Sequence, residues 1–266
     1  MGKIIAVAVP KGGVGKTTTA VNLAASLAAA EKRTLLIDVD PYGACSISLG
    51  FTPDKIVGDI FSVFSFSKSF SQVTHKTQLK YLDLIPSNVN SVQAEDKVAR
   101  LITNVFLFRN ILQQEALKYD FVIIDCPPYL KGMTANALAA ANSVIIPVKS
   151  GHFSINALQK MFNHIEWIRE NLNSQLSIEG ILLTMYEANT RMWQLTEREL
   201  AGQYAKHVFN TIIPKSSAIT ESTFYGKPAI LFNAKAKGSV AYLKLAEEVI
   251  AKNRICPIIE QLNTKL

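Results

Sequence analysis

A glycine-rich stretch near the start of the chain carries two lysines and three threonines. Residues 9–19 read VPKGGVGKTTT. Glycines let a backbone curl so that successive N–H groups face inward, and a helix that begins there adds the positive end of its dipole. In such a loop Lys16 can neutralise the β- and γ-phosphates of a nucleotide, and the Thr17 hydroxyl can ligate Mg²⁺. The stretch therefore predicts a phosphate-binding loop.

The loop departs from the usual spacing, G-x-x-x-x-G-K-[ST]. That spacing puts the first glycine at position 10, which is Pro10, and a second lysine, Lys11, follows directly. What stands here is K-G-G-x-G-K-T, between an apolar run and an Ala- and Leu-rich run, and this setting distinguishes it from an incidental glycine turn. The residues expected to contact the nucleotide are Lys11, Gly12, Gly13, Val14, Gly15, Lys16, Thr17 and Thr18.

Three aspartates follow apolar runs that predict buried strands. Asp38 and Asp40 end RTLLIDVD at 33–40, and Asp125 lies in DFVIIDCPP at 120–128. Ligands bind at the carboxyl edge of an open parallel sheet, so we expect these side chains near the phosphate loop. Three carboxylates there can hold Mg²⁺ through water and position an attacking water. A single aspartate could instead cap a helix, but the three together favour a site that holds Mg²⁺ and positions an attacking water, for which Asp38, Asp40 and Asp125 are the candidates.

The elements that position these residues alternate along the chain. Strands are predicted at 3–9, 33–40, 81–87, 120–128, 143–148, 178–186 and 209–214, and helices at about 17–30, 91–103, 106–118, 154–173, 192–206 and 237–252. Alternation of this kind implies right-handed crossovers and a mostly parallel sheet covered by helices on both faces. The sequence thus predicts one α/β domain over residues 1–266.

The composition is that of an ordinary globular protein. The chain has 266 residues, of which 48% are hydrophobic and 18% charged, which is typical of a folded domain and not of a disordered chain. The formal net charge is +7, with 15 basic against 11 acidic residues in 1–150 and 13 against 10 in 151–266. A surplus spread so evenly permits contact with a polyanion such as DNA but does not demand it.

The cysteines and the apolar runs exclude further classes. Cys45, Cys126 and Cys256 are scattered and odd in number, which argues against a disulfide framework or a zinc site and for a reduced, cytoplasmic setting. The N-terminus has no basic region followed by a cleavable apolar stretch, so we expect no signal peptide. No window holds 18 uninterrupted apolar residues, so we expect no membrane span.

Two segments leave alternatives open. Residues 59–73, DIFSVFSFSKSFSQV, either end a helix that packs Phe61 and Phe64 on the sheet or form an insertion that touches a partner. The tail at 253–266 is mildly amphipathic and is interrupted by Pro257. We expect it to pack on the body of the protein, because two basic residues are few for a membrane-surface helix.

The motifs resemble those of the ParA/MinD group of deviant-Walker ATPases, and most closely the short Soj-like ParA proteins that partition chromosomes and plasmids. KGGVGKTT at 11–18 resembles the deviant phosphate loop, LLIDVDP at 35–41 the second acidic motif, and FVIIDCPP at 121–128 the Walker B strand. Other ParA-like segments lie at 135–148, 180–186 and 212–230. The likeness covers most of the chain. Because the sequence starts directly at the loop strand, we expect it to lack the N-terminal DNA-reading extension of the larger plasmid types.

The resemblance implies how nucleotide is held. Lys11 matches the signature lysine that reaches across a nucleotide-sandwich dimer to the partner's phosphates, whereas Lys16 and Thr17 match the phosphate and magnesium residues. Pro214 and the strand end near Met185 lie where the family holds adenine. The implied cofactors are ATP and Mg²⁺.

The resemblance also implies an activity and partners. Asp40 matches the carboxylate linked to hydrolysis, with Asp38 beside it, and Asp125 matches the Walker B acid. The implied activity is slow ATP hydrolysis in a bacterial or archaeal cytoplasm, where ATP-bound homodimers coat the DNA of the nucleoid nonspecifically and a ParB-like protein triggers their release.

Basic residues in the helical C-terminal half are the candidates for DNA contact, although for each one taken singly a solvated helix face is the more ordinary interpretation. Retention on DNA through them should weaken steeply with salt. The candidates are Arg191, Arg198, Lys206, Lys235, Lys237 and Lys244.

The second acidic motif departs from the family pattern. Asp-Pro-Gln-Gly-Asn is frequent there, whereas this chain reads Asp40-Pro41-Tyr42-Gly43-Ala44. Position 215 is Lys where Arg is frequent, and EANTRMW at 187–193 replaces a common Asp-x-Arg-Thr run. Alternatives to chromosome or plasmid partitioning are therefore a ParA relative that positions another cargo, a MinD-like ATPase at the membrane and an ATP-switched scaffold.

Overall fold

The structure is a computed structural model that describes residues 2–89, 92–188 and 190–253. Its described part contains a seven-stranded sheet in the order β3-β4-β2-β5-β1-β6-β7. The strands are β1 Lys3–Val7, β2 Thr34–Asp38, β3 His75–Lys76, β4 Leu82–Ile85, β5 Phe121–Asp125, β6 Ser143–Val148 and β7 Ser177–Leu183. All neighbours pair in parallel except β3, which runs antiparallel to β4 at the edge. The predicted α/β class with a mostly parallel sheet is confirmed.

Helices cover both faces of this sheet. Their bounds are α1 Lys16–Ala29, α2 Ala44–Ser48, α3 Ile60–Phe64, α4 Phe70–Val73, α5 Val92–Leu101, α6 Val105–Glu115, α7 Met133–Ala140, α8 His152–Asn171, α9 Arg191–Gln203, α10 Ser217–Phe224, α11 Ala229–Phe232 and α12 Lys237–Lys252. Short 3-10 turns lie at Pro53–Lys55, Ala116–Lys118 and Ala205–His207.

Two apolar layers hold the sheet between the helices. Along β1, Ile4 faces a layer built with α3, α6, α7, α8 and α9, and Ile5 faces a layer built with α1 and α12. Both side chains are fully buried. Parallel strands buried on both faces need apolar side chains at consecutive positions, which is why KIIAV contains no alternating polar residue.

The central strands bring their carboxyl ends to one level. Asp125 of β5 stands opposite Asp38 of β2 on one side and Val7 of β1 on the other. The phosphate loop begins two residues beyond Val7, and α1 begins at Lys16. The register therefore places the loop and the acidic residues at the same edge.

The predicted strand at 209–214 is wrong. Here the chain makes two isolated parallel bridges among the described residues, Val208 with Ile181 of β7 and Pro214 with Tyr186 beyond the end of β7. Between the bridges, the N–H groups of Asn210 and Thr211 donate to the Glu248 carboxylate of α12 at 3.0 and 3.1 Å, so they are not available to a strand ladder. The segment instead leads the chain past the edge of β7 to α10.

The Phe- and Ser-rich segment contains the expected packed helix. Phe61 and Phe64 of α3 are buried, and Phe64 meets Phe108 of α6 edge to face at 5.4 Å between ring centroids. Asp59 caps the helix by accepting from the Ser62 N–H at 2.8 Å. The packing interpretation is confirmed for this helix, while the partner-binding interpretation of the segment stays a prediction.

Three further expectations concern the cysteines, membrane spans and tail. Cys45 and Cys126 are buried free thiols. Within the described ranges, no helix is long and apolar enough to cross a membrane. Cys256, Pro257 and the rest of the tail from residue 254 lie outside the described residues, so both interpretations of the tail stay predictions.

Candidate nucleotide and metal site

The loop between β1 and α1 is wound by two glycines. Gly13 and Gly15 have φ of 66° and 88°, in the left-handed region that favours glycine. A Cβ on Gly13 would meet no atom within 4 Å, so the backbone conformation and not crowding requires glycine there. The loop is fastened to the end of β7, because the Thr184 hydroxyl donates to the Val14 carbonyl at 2.8 Å. The curled backbone ahead of α1 is the arrangement that binds phosphate.

The two lysines of the loop occupy different environments. Lys16 is 8% exposed, and its Nζ donates to the Lys11 carbonyl at 2.9 Å, so the loop wraps around this ammonium. Burial lowers the pKa of Lys16, and the nearby Asp125 and Asp40 carboxylates oppose that shift. The Lys11 side chain is partly exposed, and its pKa is lowered by burial and by the charge of Lys149. Lys16 therefore lies within its own loop, whereas Lys11 lies at the loop's outer side.

Asp125 connects the phosphate loop to the acidic edge. Its Oδ2 accepts a 2.6 Å hydrogen bond from the Thr17 hydroxyl and a 3.5 Å contact from the Cys45 thiol. Its Oδ1 is buried and has no hydrogen-bond partner among the described residues. Burial raises the pKa of Asp125 to about 7, and the hydrogen bond from Thr17 opposes the shift. A buried carboxylate with an unused oxygen needs a cation or a proton.

Asp38 and Asp40 belong to one loop but make different contacts. The two oxygens of Asp38 accept the backbone N–H groups of Asp40 at 3.0 Å and Cys45 at 2.9 Å, so this carboxylate fixes the loop that carries Asp40. Asp40 is half-buried and accepts from the Tyr42 N–H at 3.2 Å. Burial raises the pKa of both carboxyls, and the Asp125 charge adds to the shift at Asp38.

These donors fit a magnesium ion. Asp38, Cys45 and Asp125 each offer a ligand atom, and these atoms lie within 4.8 Å of one another. Mg²⁺ prefers oxygen ligands and usually keeps several waters, so the Thr17 hydroxyl and the Asp125 carboxylate suit it better than the Cys45 thiol does. A cation would also neutralise the buried Asp125 carboxylate, whose Oδ1 accepts no hydrogen bond among the described residues.

A large cavity continues from the loop along the end of β7. Its volume is about 940 Å³, and it is lined at one end by Gly15 and Thr18. The predicted adenine residues Met185 and Pro214 both line it, and the neighbouring Tyr186 forms a backbone bridge with Pro214. Met185 has a φ of 56°, which costs free energy in a residue with a long side chain. The structure therefore brings the two predicted adenine residues together beside the phosphate loop.

Sequence reasoning missed two parts of the cavity wall. Lys149 follows β6 at the carboxyl edge and lies near Lys11. Its position directly after the apolar run of a predicted strand could have indicated that it belongs to the site. The helix α10 lines the cavity with Ile219, Thr220, Thr223 and Phe224, which share one helical face. No local pattern distinguished that helix from a loop.

The candidate DNA residues form two separate sets, all of them exposed. α9 packs in the layer of α8, whereas α12 packs in the opposite layer against α1. The α9 set is Arg191 and Arg198 with Lys206 in the following turn, and the α12 set is Lys235, Lys237 and Lys244. The two sets therefore lie on opposite layers of the sheet.

The titration of Asp125 predicts how stability depends on pH. A carboxyl whose folded pKa is raised stabilises the fold below its unfolded pKa of about 4 and loses that contribution as pH rises through about 7. Without metal, the melting temperature of the wild type is therefore expected to fall between about pH 4 and pH 7 relative to Asp125→Asn, which cannot ionise, and to level off above that range. Thermal unfolding of both proteins over this range measures the difference.

Magnesium supplies the control for this prediction. Mg²⁺ with ADP should flatten the wild-type profile, because the metal stabilises the ionised carboxylate. The same addition should leave the profile of Asp125→Asn almost unchanged. Parallel profiles for the two proteins without metal would show that Asp125 does not titrate in this range.

Comparison with known proteins gives consistent matches over most of the chain. A family model described as an AAA domain matches residues 2–178. The chromosome partitioning protein ParA of Myxococcus xanthus is 40% identical over 253 residues, which are 95% of this chain and 89% of that protein. The sporulation initiation inhibitor protein Soj of Bacillus subtilis is 37% identical over 251 residues, 94% of this chain and 99% of that protein.

A solved structure gives the same fold. Cobyrinic acid a,c-diamide synthase from Mycobacterium smegmatis, with bound ATP analog and magnesium, superposes with a TM-score of 0.83 and 29% identity, covering 96% of each chain. That protein therefore holds an adenine nucleotide and magnesium in a fold that this chain shares.

Proposed function

The chain belongs to the ParA/Soj family of ATPases, and we propose that it hydrolyses ATP with Mg²⁺ to drive DNA partitioning. The observation that carries the proposal is the convergence at one sheet edge of Lys16 in a glycine loop, Thr17 bonded to Asp125, and the loop of Asp40. The name of the Myxococcus relative, a chromosome partitioning protein, supports the partitioning, and the ATP analog with magnesium in the Mycobacterium structure supports the nucleotide and the metal.

Each group at the edge has a role that its position suits. Lys16 binds the β- and γ-phosphates from within the loop, and the Thr17 hydroxyl and Asp125 hold the metal. Magnesium, when bound, neutralises charge on the phosphates. Asp40 is half-buried beside Lys16 and orients the attacking water, while Asp38 keeps the Asp40 loop in place. Met185 and Pro214 enclose the adenine.

We further propose that the ATP-bound protein is a homodimer in which Lys11 serves the partner's nucleotide. Two observations support this role. Lys16 already fills the centre of its own loop, and Lys11 lies at the outer side of the carboxyl edge. A second copy facing this edge would bring its own Lys11 to the phosphates of the first.

The dimer is proposed to bind DNA nonspecifically in the cytoplasm, on the nucleoid. The exposed basic residues of the α9 and α12 sets supply the contacts. Because these residues are spread over two layers, they suit contacts with the DNA phosphates, which carry no sequence information. A ParB-like protein is proposed to stimulate hydrolysis and so release the dimer. The chromosome, a plasmid or another cargo would then be positioned by cycles of binding and release.

Retention of the purified protein on immobilised duplex DNA tests this function. We expect retention with ATP and Mg²⁺ and little with ADP or without nucleotide. It should fall by at least about a hundredfold between about 50 and 200 mM salt, because phosphate contacts release counterions. The pairs Arg191→Gln/Arg198→Gln and Lys235→Gln/Lys237→Gln should each lower the salt slope by about two. Equal retention with ADP, or retention indifferent to salt, would count decisively against a DNA-partitioning ATPase.

A further inference from the structure

Three aromatic rings meet on the surface where α10 ends, and one of them, Phe224, also lines the large cavity. Phe224 and Tyr225 are 87% and 62% exposed, and their rings are nearly perpendicular, with centroids 5.6 Å apart. Tyr225 in turn stacks on Phe232 of α11 at 5.4 Å and 18°. The rings form an open corner, and one side of it is the stacked pair of Tyr225 and Phe232. Exposed apolar side chains that are scattered singly are normal on a protein surface, whereas a group of exposed rings indicates an interaction site.

The backbone holds these rings in place. The N–H groups of Tyr225, Gly226 and Lys227 donate back to carbonyls of α10. Gly226 has a φ of 60°, and a Cβ there would come within 2.7 Å of Gly50 Cα, so this turn packs closely against the end of α2. The rings are therefore preorganised and need little ordering when a ligand binds them.

Lysines lie close in sequence to the aromatic corner, and Lys227 belongs to the same turn as Tyr225. Residues 215–244 contain five lysines and one acidic residue, Glu221. Lys215 pairs with Glu187 at 2.8 Å. Lys227, Lys235 and Lys237 are exposed, and in the part of the chain that the structure describes none of them has a carboxylate within 4.0 Å. Three lysines without ion pairs thus lie within five residues of these rings along the chain.

We propose that this aromatic–lysine corner binds single-stranded nucleic acid. An unpaired base can stack on the open face of Tyr225 and extend the column that Phe232 begins, while the lysines contact the flanking phosphates. A duplex keeps its base faces stacked inside and offers nothing to these rings. A single strand is thus the polyanion that uses both the rings and the charges. This site goes beyond the partitioning function and needs no ATP.

Fluorescence anisotropy of nucleotide-free protein tests the proposal. The probes are a labelled oligothymidine of about 20 nucleotides and a labelled duplex of the same length. We expect the wild type to bind the single strand more tightly. Tyr225→Ser should weaken that binding by about tenfold, since stacking of one base contributes roughly 1–3 kcal/mol, and should change duplex binding by less than about twofold. Lys227→Gln should lower the salt slope for the single strand by about one.

Matched variants and probes separate the outcomes. Phe66→Ser removes another exposed aromatic ring, 78% exposed and outside this corner, and should leave single-strand binding unchanged. A wild type that prefers the duplex, or a Tyr225→Ser that weakens both probes equally or neither, would overturn the proposal. So would a Tyr225→Ser that impairs only ATP-driven dimerisation or only pelleting with anionic phosphatidylserine vesicles. Loss of ATP-dependent duplex retention with intact single-strand binding would instead refute the partitioning function alone.

Discussion

Replacing Lys16 with alanine is expected to weaken ATP binding to the purified protein by at least about a hundredfold, because a buried charge contact typically contributes 2–5 kcal/mol. The side chain lies in the centre of the loop, where its Nζ reaches the Lys11 carbonyl at 2.9 Å. Its removal also leaves the Asp40 and Asp125 carboxylates without the positive charge of Lys16. These two carboxylates then repel the anionic phosphates more strongly. Isothermal titration with ATP and Mg²⁺ measures the loss directly.

Lys149→Ala is the matched control for this prediction. Lys149 also lines the cavity and is positively charged, but it follows β6 and lies outside the phosphate loop. Its removal should weaken ATP binding by less than about tenfold, as expected for a partly screened charge. Comparable losses in the two variants would show that general positive charge, and not the loop lysine, binds the phosphates.

Replacing Lys11 with alanine is expected to separate binding from turnover. The monomer should still bind ATP within about threefold of the wild type, because Lys16, Thr17 and the loop backbone remain. ATP-driven dimers should disappear, and hydrolysis should fall by at least about a hundredfold, as when a charge that stabilises the phosphoryl-transfer transition state is lost. Titration, light scattering with ATP and a phosphate-release assay provide the three measurements.

The outcome that contradicts this role is specific. A Lys11→Ala protein that dimerises and hydrolyses ATP like the wild type would exclude any essential part for Lys11. A variant that loses ATP binding as completely as Lys16→Ala would place Lys11 in its own subunit's site.

The fold and the phosphate loop can be predicted from the sequence because they depend on short, local patterns. The apolar run of β1 leads into the phosphate loop, those of β2 and β5 end at Asp38 and Asp125, and parallel pairing brings these ends together. The register that sets Asp38 opposite Asp125 follows from this arrangement. The motif K-G-G-x-G-K-T predicts a curled backbone, and the left-handed conformation of Gly13 and Gly15 is the physical reason why glycine stands at these two positions.

The parts that were missed depend on contacts between distant segments. Residues 209–214 have the composition of a strand, but the Glu248 side chain from α12 takes the N–H groups that a strand would need. The cavity wall formed by α10 has no strong apolar face, and only Ser222 of that helix is buried. The hydrogen bonds that commit Asp38 to the Asp40 loop also depend on tertiary structure and could not be predicted from the sequence, while the assignment of Asp38 to metal and catalysis stays a prediction.

The central claim is that Lys11 completes the site of a second copy, and mixing two variants tests it most directly. Asp40→Ala should bind ATP and dimerise but not hydrolyse, and Lys11→Ala should also be inactive alone. In a mixed dimer, the Lys11→Ala subunit keeps its Asp40 and receives an intact Lys11 from the other subunit. An equal mixture should therefore regain ATPase activity that neither variant has alone. Each mixed dimer keeps one Lys11 across its interface and one complete site of two, so it should turn over at about half the rate of a wild-type dimer. No recovery, with mixed dimers verified by pull-down of differently tagged subunits, would contradict the account.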